Sequence, residues 1–154
     1  MSDKRKILVQ LDADVQPALF DRIVALDAGV DELLSYGQVT LDQVQSLVHG
    51  CIFTRGPKDL ARTAIFIGGS QVAQAEKLLT EAGKHLLPQF GLSVSIMMDA
   101  NGCNTTAAAA VRCAGRHLDL SKGNALVLGA GPVGQRVAQL LAGAACAVWL
   151  PALA

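Results

Sequence analysis

Asn124-Ala125-Leu126-Val127-Leu128-Gly129-Ala130-Gly131-Pro132-Val133-Gly134 is the stretch on which the fold of this chain turns. A short apolar run leads into Gly-x-Gly-x-x-Gly, and the spacing predicts a helix over 133–142, then a further apolar run over 147–150. Strand, glycine turn, helix and strand make one βαβ unit, the setting in which such a loop holds a dinucleotide. Each glycine has its own reason. Gly129 turns the chain tightly out of the strand. Gly131 removes a side chain where a pyrophosphate must approach the backbone, and Gly134 allows close packing of the helix. The helix amides and dipole then favour a phosphate at its start. Pro132 fits because an early helical position needs no N–H. The assigned contacts are Gly129, Gly131, Pro132, Val133 and Gly134, with NAD or NADP as cofactor. The competing reading is a tight βα turn that binds no nucleotide.

The carboxylate expected about 20 residues past the first glycine, where it would hold the adenosine ribose, is missing. That region reads Trp149-Leu150-Pro151-Ala152-Leu153-Ala154, with no acid and no Arg or Lys. The choice between NAD and NADP therefore stays open. One βαβ unit does not complete a Rossmann sheet. The chain is expected to be the front part of a longer protein and to expose apolar surface.

Working outward, strand-like and helix-like segments alternate along the chain. Strands are expected at 6–11, 51–53, 64–67, 92–98 and 125–128. Helices are expected at 17–26, with Leu19, Ile23 and Leu26 on one face, at 40–49 from a Thr40–Gln43 capping box, from Ser70 to His85, and from Asn104 to Leu118. Such alternation implies an α/β fold with a parallel sheet. The pattern breaks at 119–123. An N-terminal parallel-sheet domain is expected over residues 1–119 and the first βαβ unit of a Rossmann domain over 120–154.

The composition narrows the function. Thirteen basic and thirteen acidic residues among 154 leave no net charge, and so no electrostatic surface for nucleic acid or anionic lipid. Hydrophobic residues make up 51% and charged residues 17%, which argues for a large core, a subunit interface or both, and a homo-oligomer is expected. No apolar run approaches the ~20 residues that span a bilayer. Four scattered cysteines suit a reducing cytoplasm better than a disulfide framework.

Three polar clusters remain. Asp99-Ala100-Asn101-Gly102-Cys103-Asn104-Thr105-Thr106 follows a strand and offers fixed donors and acceptors, although turns and helix caps use the same residues. Thr54-Arg55-Gly56-Pro57-Lys58-Asp59 offers two cations, Arg55 and Lys58, near a turn, with a solvated loop as the bland reading. Asp12-Ala13-Asp14 has no third ligand nearby, so turn chemistry outweighs a metal and no metal is assigned. His49, His85 and His117 lie near helix ends and receive no catalytic role.

Taken together, these stretches resemble a known family. Asp12-x-Asp14-x-x-Pro17-x-x-Phe20-Asp21, Tyr36-Gly37-x-Val39-Thr40, Phe53-Thr54-Arg55-Gly56, Thr63-Ala64-Ile65-Phe66-Ile67-Gly68-Gly69 and Asp99-x-Asn101-Gly102-x-Asn104-Thr105-Thr106 precede the glycine loop in this order. The chain resembles the bacterial NAD(P)-dependent methylene-tetrahydromethanopterin dehydrogenases of one-carbon metabolism. The resemblance implies hydride transfer from the methylene carbon to NAD(P)+, with the pterin held between the N-terminal and Rossmann domains. It implies that Phe20 lines the pterin pocket and that Thr54, Arg55, Asp99, Asn101 and Asn104 make polar contacts there. Family members run on for well over a hundred residues, so the 154-residue chain alone is expected to be inactive. The alternatives are a methylene-tetrahydrofolate dehydrogenase and a non-catalytic nucleotide-binding fragment.

Overall fold

The computed structural model describes residues 4–151 and divides into two compact units, Met1–Asn101 and Gly102–Ala154. Residues 152–154, part of the stretch searched for a ribose-binding acid, lie outside the described residues.

The first unit is an α/β layer structure on a four-stranded, all-parallel sheet. Its elements are β1 (Ile7–Leu11), α1 (Leu19–Asp27), β2 (Glu32–Tyr36), α2 (Leu41–Phe53), β3 (Thr63–Ile67), α3 (Val72–Lys84) and β4 (Ser95–Met98). The order across the sheet is β2-β1-β3-β4. Val9, Leu11, Ile65, Ile67 and Met98 share one face by register and are buried. Val44, Val48 and Ile52 of α2 and Ala75, Leu78 and Ala82 of α3 are buried with them, at helical spacing. The Cys51 thiol is pushed up to about 11 by its burial, so it stays neutral and serves as packing.

Three expectations are corrected. Residues 51–53 are the last turn of α2, not a strand. Cys51 and Ile52 continue the i, i+4 stripe begun by Val44 and Val48, and helical propagation overrides the short apolar run. β2 was missed. Its Glu-Leu-Leu-Ser-Tyr sequence has neither an unbroken apolar run nor strict alternation, as suits an edge strand. Ser70 does not begin α3, which starts at Val72 after the N-cap Gln71; the Ser70 hydroxyl instead donates to Asp14.

The stripe of Leu19, Ile23 and Leu26 on α1 is present but exposed; Ala25 is the helix's buried residue. Gln10 lies on the sheet face opposite Val9, where its Oε1 accepts from the Ser35 hydroxyl at 2.8 Å.

The second unit holds α4 (Cys103–Ala114), β5 (Asn124–Leu126), α5 (Pro132–Gly143) and β6 (Ala147–Trp149). β5 and β6 pair in parallel with α5 between them, and Val127 N–H to Trp149 O extends the ladder at 2.9 Å. This is the expected βαβ unit. α4 packs on α5, so the unit begins at Gly102, ahead of the pattern break at 119–123. Leu126, Leu128 and Trp149 are exposed, the uncovered apolar surface expected of a short sheet. Among the described residues no helix is long and apolar enough to cross a membrane.

Candidate functional site

The strand order fixes where a ligand crevice can form in the first unit. From β1 the chain moves to β2 on one side, whereas β3 lies on β1's other side. Loops leaving the carboxyl ends of β1 and β3 therefore part in opposite directions. That switch point is where open parallel sheets bind ligands.

Asp12 and Gly68-Gly69 occupy it. Asp12 is fully buried; its carboxylate accepts from Asp14 N–H at 2.8 Å and Ala18 N–H at 3.3 Å. Asp14 accepts from Ser70 N–H at 2.7 Å and from its hydroxyl at 3.0 Å, tying the β1 loop to the β3 loop. The Asp12 bonds are local turn bonds, whereas the Asp14 bonds join two loops 56 residues apart. Among the described residues no cluster of His, Cys, Asp and Glu is arranged to hold a metal.

The two glycines make room for carboxylates. A Cβ on Gly68 would lie 2.9 Å from Asp21 Oδ2, and one on Gly69 would lie 2.8 Å from Asp12 Oδ1. Gly69 also has φ +105°, where a side chain is strained. Burial raises the Asp12 carboxyl above its ordinary pKa. Asp21 is raised too, first by burial and then by the charges of Asp12 and Asp99.

Phe20 opens α1, follows the β1 loop and is 77% exposed. Asp99 and Asn101 follow β4; Asp99 N–H donates to Ile67 O at 3.1 Å and Asn101 N–H to Gly69 O at 2.8 Å. Asn101 has φ 52°, a left-handed conformation that asparagine tolerates better than most residues. Phe20, Asp99 and Asn101 thus belong to the carboxyl end of the sheet. On the α2/α3 side of that end a cavity of about 340 Å³ is lined by Ala13, Val39, Thr40, Gln71 and Gln74.

Thr54 and Arg55 do not join them. They follow α2, which runs back to the amino end of the sheet. Arg55 Nη1 donates to Arg5 O at 2.8 Å and Arg62 O at 3.3 Å, the residues just ahead of β1 and β3. The Thr54 hydroxyl donates to Gly50 O. These two residues therefore sit at the far end of the strands from Asp12 and Asp99. Sequence pattern alone does not single out Asp12, Asp21, Gly68 and Gly69 for this site, although a Gly-Gly pair directly after a strand is a usable signal.

In the second unit Asn104, on α4, accepts from Arg136 Nε of α5 at 2.5 Å. The glycine loop has the shape its residues imply. Gly129 has φ +108°. A Cβ on Gly134 would lie 1.8 Å from Gly129 O, whereas one on Gly131 would meet nothing within 4 Å. Pro132 is the first residue of α5, so Val133 and Gly134 offer the first amides of the helix. Gln135 N–H closes the turn on Gly131 O at 3.0 Å. A backbone cradle open above Gly131 fits a dinucleotide pyrophosphate.

Residues 19–101, more than half of the chain, match the methylene-tetrahydromethanopterin dehydrogenase N-terminal family. The chain belongs to this family. Over 107 residues, 70% of the chain, it is 45% identical to the "Bifunctional protein MdtA" of Methylorubrum extorquens and covers 36% of that protein. Over the same length it is 39% identical to the "NAD(P)-dependent methylenetetrahydromethanopterin dehydrogenase" of that organism, covering 35%. The chain thus spans about a third of the length of these curated relatives. The matched family segment closes at Asn101, where the first compact unit also ends.

Proposed function

We propose that this chain supplies the carrier-binding unit and the start of the nucleotide-binding unit of an NAD(P)-dependent methylene-tetrahydromethanopterin dehydrogenase. The observation that carries the reading is the strand-order reversal at β1 and β3, in a member of this family, with Asp12, Gly68 and Gly69 at the crevice. Phe20 supplies an exposed aromatic face for the pterin ring, and Asp99 and Asn101 its polar contacts. Asp21 presents a carboxylate to the N–H donors of the aminopyrimidinone edge. Thr54 and Arg55 are left out because they lie at the opposite end of the strands.

The loop at Gly129, Gly131, Pro132, Val133 and Gly134 would hold the pyrophosphate of NAD(P)+, which supplies the hydride acceptor. The carrier's own nitrogen lone pair expels hydride from the bridging methylene, so little acid–base help is needed. The task left to the protein is to bind, align and keep water out. The family's description and the name of one relative favour the tetrahydromethanopterin carrier over tetrahydrofolate. Four free cysteines suit a reducing cytoplasm, and the exposed apolar residues of α1 suit an assembly larger than this chain.

The test is calorimetric titration of the chain with methylene-tetrahydromethanopterin and, in parallel, methylene-tetrahydrofolate. Saturable binding of the first, weakened at least tenfold in Phe20→Ala with an unchanged melting temperature, is expected. No binding, or tighter binding of the folate, would overturn the proposal.

A further inference from the structure

A second cavity, of about 280 Å³, runs along the same sheet between α2 and strands β1, β2 and β3, from Arg55 and Thr63 at the amino end to Tyr36 at the close of β2. Its volume is near the lower limit for small-molecule sites. Val9, Leu34, Leu47 and the Tyr36 ring give it apolar walls, and Gly50 and Arg55 also line it.

Arg55 is only partly employed by the fold. Its Nη1 donates to the carbonyls of Arg5 and Arg62. Among the described residues it forms no salt bridge, and its Nε and Nη2 have no acceptor. Nε and Nη2 make up the side-on edge of a guanidinium, whose two parallel N–H groups match a carboxylate. The backbone carbonyls on Nη1 hold the group in place, so little freedom is left to lose on binding. Thr63 lies in the cavity floor; its hydroxyl is buried and has no hydrogen-bond partner among the described residues.

We propose that this cavity binds a small organic carboxylate, with its apolar body against Val9, Leu34 and Leu47 and its carboxylate on the Nε/Nη2 edge of Arg55. The Arg55 end of the site lies at the other end of the strands from the carboxyl-end crevice.

Tyr36 is the chain's single tyrosine and lines the cavity, so its ring resonances are resolved reporters of it. The probes are benzoate and hexanoate, with benzamide as the neutral isostere of benzoate. A saturable shift of the Tyr36 ring with either carboxylate at millimolar concentration, and none with benzamide, is expected. Arg55→Lys keeps the charge but loses the paired donors, and should weaken binding at least tenfold. Gly50→Leu replaces a helical glycine whose Cβ would meet nothing within 4 Å. It should fold at least as well as the parent, fill the cavity and abolish the shift. Equal binding of benzamide, no shift at millimolar carboxylate, or an unchanged titration in Gly50→Leu would each overturn the proposal.

Discussion

Alanine at Gly131 and alanine at Gly134 should damage different properties of the same loop. At Gly131 the backbone is extended (φ −68°, ψ 177°), and an added Cβ meets nothing within 4 Å. The free chain should lose no more than about 1 kcal/mol, the usual cost of alanine at a helix N-cap. The methyl group would nevertheless stand where the pyrophosphate approaches the amides of Val133 and Gly134. Losing one charge-assisted hydrogen bond costs about 1.5–3 kcal/mol, roughly a ten- to hundredfold loss of affinity. At Gly134 the added Cβ lies 1.8 Å from Gly129 O, well inside the 3.4 Å at which ordinary contact begins. Loop and helix would have to separate by roughly 1.5 Å, and forced overpacking of this kind costs about 1–3 kcal/mol. Alanine's better helix propensity returns at most about 1 kcal/mol, so net destabilisation is expected. Trp149, the single tryptophan, lies on β6 of the same unit and serves both measurements. Its emission follows urea unfolding, and its energy transfer to reduced nicotinamide follows binding. Gly131→Ala should keep the urea midpoint and lose affinity, whereas Gly134→Ala should lower the midpoint. Unchanged NADH and NADPH affinity in Gly131→Ala would show that no pyrophosphate crosses that residue. An unchanged midpoint in Gly134→Ala would refute the close approach to Gly129.

Gly69→Ala combines a φ of +105° with a contact of 2.8 Å to Asp12 Oδ1, and should cost about 2 kcal/mol or more, read as a lower urea midpoint by circular dichroism. An unchanged midpoint would mean that the β3 loop yields freely. Asp21 is harder to ionise in the fold than in the unfolded chain, first through burial and then through Asp12 and Asp99. Its contribution to stability is fully present below the ordinary carboxylate pKa of about 3.9 and is lost as pH rises through the raised value. Asp21→Asn should therefore raise the melting temperature at neutral pH and give no gain in acid. A gain of equal size at both pH values would exclude the electrostatic cause.

The candidate site was only partly legible in the sequence. Phe20, Asp99 and Asn101 follow strands or open a helix, and local pattern was enough to place them at strand ends. In the sequence Thr54 and Arg55 look equivalent because the apolar triplet 51–53 has the composition of a strand. As the close of a helix, that triplet puts them at the other end of the sheet. The pattern along the chain gives the element but not the direction in which the chain runs through the layer, and for these residues direction decides.

The sequence by itself determined the α/β class, the parallel strands, the βαβ unit around Gly129 and the need for glycine at Gly129 and Gly134. These are matters of near neighbours, set by steric limits on φ and by hydrophobic period. Only the tertiary structure decided that β3 lies beside β1 with β2 on the outer edge, and so where the crevice opens. Strand order depends on which faces find cover when the layers close, and that free energy belongs to residues far apart in the chain, such as Leu11 and Ile67, rather than to any local run.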